Sequence, residues 1–215
     1  MSSARENIMQ RIRRANQQRL GAMADNVLQR RMSQHSRGPQ PHWSEELKTR
    51  FVHKAVQSAA HVTEITSSQE VVAAVQSYLE EQSLENRLLC SDTALINGLE
   101  WPETITVEYR TATTEDRVVL VEAFAAIAET GSVVMCSGQA TPVSLNFLPD
   151  HFLCVVRREN IVRNIEDLWE KIRQEMSSMP RAVNIITGPS RTADVEQIIQ
   201  LGAHGPRKVH LLLLN

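Results

Sequence analysis

The chain has 215 residues, of which 42% are hydrophobic, enough for one α/β domain with a substantial core and a smaller appendage. Its formal net charge of −2 argues against a protein built wholly to bind nucleic acid. The N-terminus has no apolar signal-peptide segment, and no apolar run approaches the ~20 residues that span a bilayer. We therefore expect a soluble, cytoplasmic protein with no membrane span.

The first 44 residues are predicted to form a helical arm that ends in a Gly/Pro linker. Residues 3–19 have the spacing of a basic amphipathic helix, and residues 21–32 that of a second helix. Gly38-Pro39-Gln40-Pro41 cannot continue a helix. Through Arg50 the chain has 10 Lys/Arg against 4 Asp/Glu, whereas the remainder has 13 against 21. We predict a basic arm over 1–44, which folds back on the body or docks on another subunit, and an acidic domain over 45–215.

Helical and strand patterns alternate from residue 45 onwards. The first half is predicted as a helix over 45–59, strands over 61–65 and 87–91 on either side of a helix over 68–81, a short helix over 92–99, and strands over 104–109, 118–124 and 132–136. The spacer over 125–131 is predicted as a tight turn or one turn of helix. The second half is predicted as strands over 151–156, 182–187 and 208–214, separated by helices over 161–176 and 192–201. This alternation predicts an α/β fold with a mostly parallel sheet covered by helices on both faces.

The strongest candidate for a site is the loop after the strand over 182–187, Thr187-Gly188-Pro189-Ser190-Arg191-Thr192-Ala193-Asp194. Gly188 allows a tight turn, and Ser190 or Thr192 can cap the next helix. Arg191 is placed to bind a phosphate or carboxylate through its forked guanidinium. In the alternative interpretation the hydroxyls only cap the helix, and Arg191 pairs with Asp194 or Glu196. The residue types favour a small anionic ligand.

A second loop, Gly202-Ala203-His204-Gly205-Pro206-Arg207, precedes the last predicted strand. The short helix between the loops would bring them close together, although not obviously to the same edge of the sheet. Both loops are expected at strand ends, where open α/β sheets bind ligands. We therefore assign Gly205 and Arg207 to the same ligand site. His204 is a candidate general acid/base, although a histidine at a helix C-terminus is also a common cap.

Glu129 is the third candidate, because a carboxylate beside a glycine turn between two buried strands needs a partner or a chemical role. It is a candidate nucleophile or base. Alternatively it faces water, or pairs with an arginine.

The remaining sequence contains few further functional signals. Cys90, Cys136 and Cys154 include no CxxC pair, and Cys90 and Cys154 lie in apolar runs typical of small core residues in a reduced, intracellular protein. There is no metal-ligand spacing, no P-loop and no GxGxxG. The arm has arginines but no nucleic-acid-binding motif, so docking to a protein partner or a solvated helix face is favoured over binding of nucleic acid.

Four motifs resemble those of the lactate-utilisation (LUD-domain) family, and its short C-type members most closely. They are Ala128-Glu129-Thr130-Gly131-Ser132, Leu148-Pro149, Thr187-Gly188-Pro189-Ser190-Arg191-Thr192-Ala193-Asp194-Val195-Glu196 and Gly202-Ala203-His204-Gly205-Pro206-Arg207. The resemblance spans residue 62 to the C-terminus. It adds Thr130 and Gly131 to the expected ligand-binding residues. It also implies a fold similar to that of ribose-5-phosphate isomerase, glucosamine-phosphate deaminase and the CoA transferases.

The resemblance implies a role in oxidising L-lactate to pyruvate beside two iron–sulfur partner proteins, of the A and B types. Since this chain lacks ferredoxin-type cysteine motifs, we expect it to bind no cofactor and to act as a non-redox subunit, with the clusters in the partners. Whether it catalyses a step itself stays open, and a homo-oligomer is compatible with the sequence. The alternative is a stand-alone enzyme, similar to a CoA transferase or phosphosugar isomerase, that uses Glu129.

Overall fold

The computed structural model describes residues 4–19, 22–192, 200–201 and 204–215. It divides into two compact units, Met1–Gln40 and Pro41–Asn215. The first unit holds α1 (Ala4–Arg19) and α2 (Ala22–Gln34), which correspond to the two helices predicted for the arm. Several large apolar side chains of these helices are exposed: Ile8, Met9, Ile12, Val27, Leu28 and Met32.

The second unit contains all twelve strands and four of the six α-helices formed by the described residues. The strands are β1 (His61–Ile65), β2 (Arg87–Cys90), β3 (Thr106–Glu108), β4 (Val118–Glu122), β5 (Ala125–Ile127), β6 (Ser132–Cys136), β7 (His151–Arg157), β8 (Ile161–Val162), β9 (Val183–Ile186), β10 (Arg191–Thr192), β11 (Gln200–Leu201) and β12 (Lys208–Leu214). The helices are α3 (Leu47–Gln57), α4 (Gln69–Glu81), α5 (Ala94–Asn97) and α6 (Ile165–Glu175). No helix in the described part of the chain has both the length and the apolar character needed to cross a membrane.

The main sheet has six strands in the order β1-β12-β7-β4-β2-β3, and every neighbouring pair is parallel. Its central strands are apolar at nearly every position, as expected for a parallel sheet buried on both faces. Along β12, Val209 and Leu211 pack on the side of α3, whereas Leu212 packs on the side of α4.

A second sheet of four strands, β8-β5-β6-β9, covers part of the main sheet. Its β5–β6 and β6–β9 pairs are antiparallel, and β5–β8 is parallel. The prediction of a turn or a helical turn over 125–131 was therefore wrong for its first three residues, which form β5. Two alanines have little intrinsic preference for a strand, but pairing with β6 and complete burial override that preference. Likewise the first residues of the helix predicted over 161–176 form β8.

The layers confirm the predicted α/β class with a mostly parallel sheet. One face of the main sheet packs on α4 and α5, and the other on α3 together with the second sheet. Helix α6 covers the outer face of the second sheet through Leu168 and Ile172.

Cys90 and Cys154 lie in the core as predicted, and all three cysteines are free and buried. Burial raises the pKa of each thiol, that of Cys90 to about 12, so the thiols stay protonated.

The helix predicted over 192–201 was wrong at both ends. Arg191 pairs with Leu201, and Thr192 with Gln200, in an antiparallel ribbon formed by β10 and β11. The backbone groups of Thr192, Gln200 and Leu201 therefore bond across this ribbon, instead of forming the hydrogen bonds of a helix. Residues 193–199, and with them Asp194, lie outside the described residues.

Candidate functional site

The site starts at the turn that joins β5 to β6, Ala128–Gly131. The N–H of Gly131 donates to the carbonyl of Ile127 at 2.8 Å, and its φ of 71° lies in the left-handed region. A Cβ at this position would lie 2.2 Å from the backbone nitrogen of Ala55 in α3. Glycine is therefore required twice at this position, by the turn and by the approach of α3.

Gly188, in the loop after β9, repeats this arrangement. Its φ is 69°, and a Cβ would lie 1.9 Å from the carbonyl oxygen of Ser58, the residue that ends α3. The turn at Gly131 thus packs closely against α3, and the loop at Gly188 packs closely against the C-terminal end of α3. This shared support brings together two motifs that are distant in the sequence.

A chain of three hydroxyls links the two motifs. The Oγ1 of Thr130 lies 2.7 Å from the Oγ of Ser132, which lies 2.6 Å from the Oγ1 of Thr187. Ser132 is completely buried, whereas Thr187 is exposed. Ser132 and Thr187 lie within the predicted motifs, but neither was assigned a role in the site. A serine that opens an otherwise apolar buried strand is the signal that could have identified Ser132.

The loop before β12 joins the site from the other side. The N–H of Ser190 donates to the carbonyl of Pro206 at 2.9 Å, and a Cβ at Gly205 would lie 3.4 Å from the Cβ of Ser190. The two loops are therefore in contact, as the sequence predicted. His204 and Arg191 are exposed.

Arg207 is held in place by Asp150. Its Nε lies 3.2 Å from Oδ1 of Asp150, and its backbone N–H donates to the Asp150 carbonyl at 2.8 Å. The same carboxylate pairs with Arg117 at 2.6 Å. Because 62% of the Arg207 side chain is exposed, the guanidinium is oriented by Asp150 and still open to solvent.

The loops do not lie where the strand-end argument placed them. The loop at Gly188 follows β9, which belongs to the second sheet, and the loop at Arg207 precedes β12. The first residue of β12, Lys208, pairs with His151, the first residue of β7. The second loop is therefore at the amino edge of the parallel sheet, opposite to the edge where such sheets commonly bind ligands. The prediction that both loops lie at the ligand-binding edge was therefore wrong. A sequence pattern shows that a loop joins two strands, but not which sheet each strand enters or which edge the loop borders.

Glu129 has a structural partner. Its Oε2 accepts a hydrogen bond of 3.4 Å from the N–H of Ile165, the first residue of α6, and its own N–H donates to the carbonyl of Arg163. A carboxylate is favoured at this place, since the first N–H groups of a helix lack partners within the helix. The catalytic role suggested for Glu129 stays a prediction, as does that of His204.

Three histidines and a tyrosine form a cluster that the sequence did not predict. His61 and His210 face each other in the register of β1 and β12, with Nδ1 of His61 3.0 Å from Nε2 of His210. The hydroxyl of Thr63 lies 2.8 Å from the same nitrogen. Tyr78 of α4 places its hydroxyl 2.8 Å from Nδ1 of His151. The register of β1 and β12 brings His61 and His210 together, and the packing of α4 adds Tyr78, so no local sequence pattern could reveal the cluster.

Burial sets the protonation state of this cluster. Desolvation lowers the pKa of His210 to about 4, with the nearby His61 as a smaller cause, and it also lowers that of His151. Desolvation raises the pKa of Tyr78 to about 12. His210 is therefore neutral at pH 7. Within the described residues, no group of three or more His, Cys, Asp or Glu side chains is arranged to hold a metal ion.

The sequence of this chain matches the model of a known protein family. The LUD-domain family model matches residues 48–214. This chain belongs to the LUD-domain family. Its LUD domain is 32% identical over 165 residues to the protein YkgG of Escherichia coli (strain K12), covering 75% of this chain and 70% of that protein.

Two other relatives of this LUD domain are called Lactate utilization protein C. The one from Bacillus subtilis (strain 168) is 34% identical, and the one from Geobacillus sp. (strain WCH70) 31% identical, each over 92 residues. In both cases the match covers 41% of this chain and 38% of the relative. A crystal structure of a DUF162 family protein from Deinococcus radiodurans shares the fold, with a TM-score of 0.60 at 19% identity, over 81% of this chain and all of that one.

The LUD domain thus places most of the motif residues described above in one region. The turn at Gly131, the loop at Gly188 and the loop at Arg207 are joined by hydroxyl and backbone hydrogen bonds. Exposed guanidinium groups and a histidine lie on these loops. Such groups can bind an anion, because guanidinium forks pair with carboxylates and phosphates.

Proposed function

We propose that this chain is an accessory subunit of an L-lactate utilisation system in the cytoplasm, which oxidises L-lactate to pyruvate together with iron–sulfur partner proteins. The observation that carries the proposal is the contact between the two arginine-bearing loops in a chain of the LUD-domain family. Relatives that carry the name Lactate utilization protein C support it.

The cysteines of this chain support the proposal that partner proteins carry out the electron transfer. Lactate oxidation releases two electrons, which need an acceptor. The three cysteines are buried and protonated, and the sequence contains no ferredoxin-type cysteine motif. We therefore assign electron transfer to iron–sulfur clusters in the A-type and B-type partners. The exposed apolar side chains of α1 and α2, such as Ile12 and Met32, are the surface that we assign to contact with partners.

The anion site is the second part of the proposal. We assign the ligand carboxylate to Arg191 and Arg207, with backbone N–H groups of the loop at Gly188 as further donors. L-lactate carries one carboxylate and one hydroxyl, and His204 lies on the same pair of loops. Asp150 supports this assignment, because it fixes the Arg207 guanidinium without burying it.

Binding of L-lactate and of inorganic phosphate, measured by isothermal titration calorimetry, tests this site. We expect Arg191→Gln and Arg207→Gln each to weaken binding by roughly tenfold, since each removes a charge-assisted hydrogen bond. Arg173→Gln is the matched control, because Arg173 is an exposed arginine of α6 outside the loops. Equal affinity in all three variants would place the anion elsewhere, and the loop assignment would then be wrong.

A further inference from the structure

A cavity of about 270 Å³ lies beside the histidine cluster, at the amino edge of the parallel sheet. The first residues of β1 and β12 line it on one side, and the C-terminal end of α4 lines it on the other. Its volume is close to the lower limit of about 300 Å³ for small-molecule sites, so it suits a ligand with few atoms.

Side chains of both charges line this cavity without pairing with each other. Arg207 and Lys208 line it at the start of β12, and Glu81 lines it as the last residue of α4. Within the described part of the chain, no ion pair joins Glu81 to either cation. Asp150 contacts Nε of Arg207, and Nζ of Lys208 donates one of its three hydrogens to the Gln82 side chain. Both cations therefore keep donors for a ligand, and so does the Glu81 carboxylate keep its acceptors.

The end of α4 favours a positive charge that its own sequence does not supply. Its last two residues are Glu80 and Glu81, and its last turn contains no basic residue. Lys208 approaches this end through the side chain of Gln82, not through either glutamate. The carbonyl groups at a helix C-terminus carry partial negative charge, which stabilises a cation there. This side of the cavity therefore favours an ammonium group on the ligand.

Aromatic rings form the surface between the two charged sides. The ring of His210 lies 4.4 Å from that of His61 and 5.1 Å from that of Tyr78, measured between centroids. The Tyr78 hydroxyl is bonded to His151, so the ring presents mainly its apolar face. Ala59 adds further apolar surface. Such a surface packs on a hydrocarbon group and not on a charged one.

We propose that this cavity binds a small neutral α-amino acid in its zwitterionic form. The carboxylate of the ligand accepts hydrogen bonds from Arg207 and Lys208, and its ammonium group donates to Glu81. Its side chain packs on the rings of His61 and Tyr78. The site goes beyond the proposed function, because it shares only Arg207 with the lactate site. Glu81 distinguishes the two ligands, since it attracts the ammonium group and repels an anion without one.

Binding of L-leucine and of L-alanine to the full-length protein is measured by isothermal titration calorimetry. The rate at which diethyl pyrocarbonate modifies His61 is measured by mass spectrometry, because His61 is exposed and lines the cavity. We expect at least one amino acid to bind saturably and to slow the modification of His61. His42, an exposed histidine outside the cavity, should react at the same rate with and without the amino acid.

Fragments of the better amino acid test the two charges separately. For L-leucine, 4-methylpentanoate lacks the ammonium group and 3-methylbutylamine lacks the carboxylate; for L-alanine, the fragments are propionate and ethylamine. We expect each fragment to bind at least tenfold more weakly than the amino acid. Glu81→Gln should weaken binding of the amino acid about fivefold, since it removes a charge-assisted hydrogen bond, and should not weaken binding of the carboxylate fragment. Glu103→Gln, at an exposed glutamate outside the cavity, should change neither.

The result also separates this site from the lactate site. Arg191→Gln should leave binding of the amino acid unchanged, because Arg191 does not line the cavity. The inference is overturned if neither amino acid binds, if Glu81→Gln binds the amino acid as tightly as the wild type, or if the carboxylate fragment binds as tightly as the amino acid. L-lactate binding that is insensitive to Arg191→Gln and Arg207→Gln, with binding of the amino acid intact, would contradict the lactate site alone.

Discussion

Replacing Gly131 by alanine is expected to destabilise the domain by about 3–5 kcal/mol, a large part of the ~5–15 kcal/mol of a typical domain. The φ of 71° alone is unfavourable for alanine by about 1–2 kcal/mol. The added Cβ would lie 2.2 Å from the nitrogen and 2.8 Å from the Cα of Ala55, in the backbone of the helix face that is buried through Phe51 and Ala55. That backbone cannot yield by a rotamer change, so the second sheet must shift relative to α3. Urea denaturation measures the loss.

Gly188→Ala is expected to behave in the same way, because its Cβ would lie 1.9 Å from the Ser58 carbonyl oxygen. Gly138→Ala is the matched control. Gly138 is exposed, and the nearest atom to its added Cβ is Oγ1 of Thr141 at 3.4 Å. We expect a change within about 0.5 kcal/mol for this control. If Gly131→Ala were as stable as Gly138→Ala, the close approach of the turn to α3 would be wrong.

Acidification should destabilise the domain through His210 by about 3 kcal/mol. The pKa of His210 in the fold is about 4, below the 6.5 of a free histidine, so the unfolded chain takes up the proton first. The stability associated with the neutral imidazole is therefore complete above pH 6.5 and is lost as the pH falls towards 4. His61 and Tyr78 face the ring, and Glu81, Arg207 and Lys208 line the adjoining cavity.

The free energy of unfolding in urea, measured between pH 7 and pH 4.5, checks this prediction. His210→Gln removes the titrating group, so its stability should fall less steeply with pH than that of the wild type, whatever its stability at pH 7. His42→Gln, at an exposed histidine outside the cluster, should keep the wild-type slope. A wild-type slope in His210→Gln would show that His210 does not control the acid transition.

Most helices and strands could be predicted from the sequence, because the spacing of their apolar residues matches the faces that are buried in the fold. The β12 run over 208–214 is apolar on both sides and lies inside a parallel sheet, as its pattern indicates. β5 could not be predicted, because two alanines carry little strand preference and only pairing with β6 makes them a strand. The histidine cluster could not be predicted either, because His61 and His210 meet through the register of β1 and β12.

The candidate site was predictable in composition but not in position. Glycine and arginine motifs identified the loops at Gly188 and Arg207, and the structure brings these loops into contact. The partner that explains both Gly131 and Gly188 is α3, which no local pattern connects to them. The contact of Glu129 with the start of α6 depends on a segment more than thirty residues away in sequence, so the turn alone could not reveal it.

Pyruvate formation from L-lactate, measured with purified proteins and an artificial electron acceptor, tests the proposed function most directly. The assay compares this chain alone, the A-type and B-type iron–sulfur proteins of the same organism alone, and the three together. We expect pyruvate only when the iron–sulfur proteins are present, and a several-fold faster rate when this chain is added. Pyruvate formation by this chain alone, or an equal rate with and without it, would contradict its role as an accessory subunit.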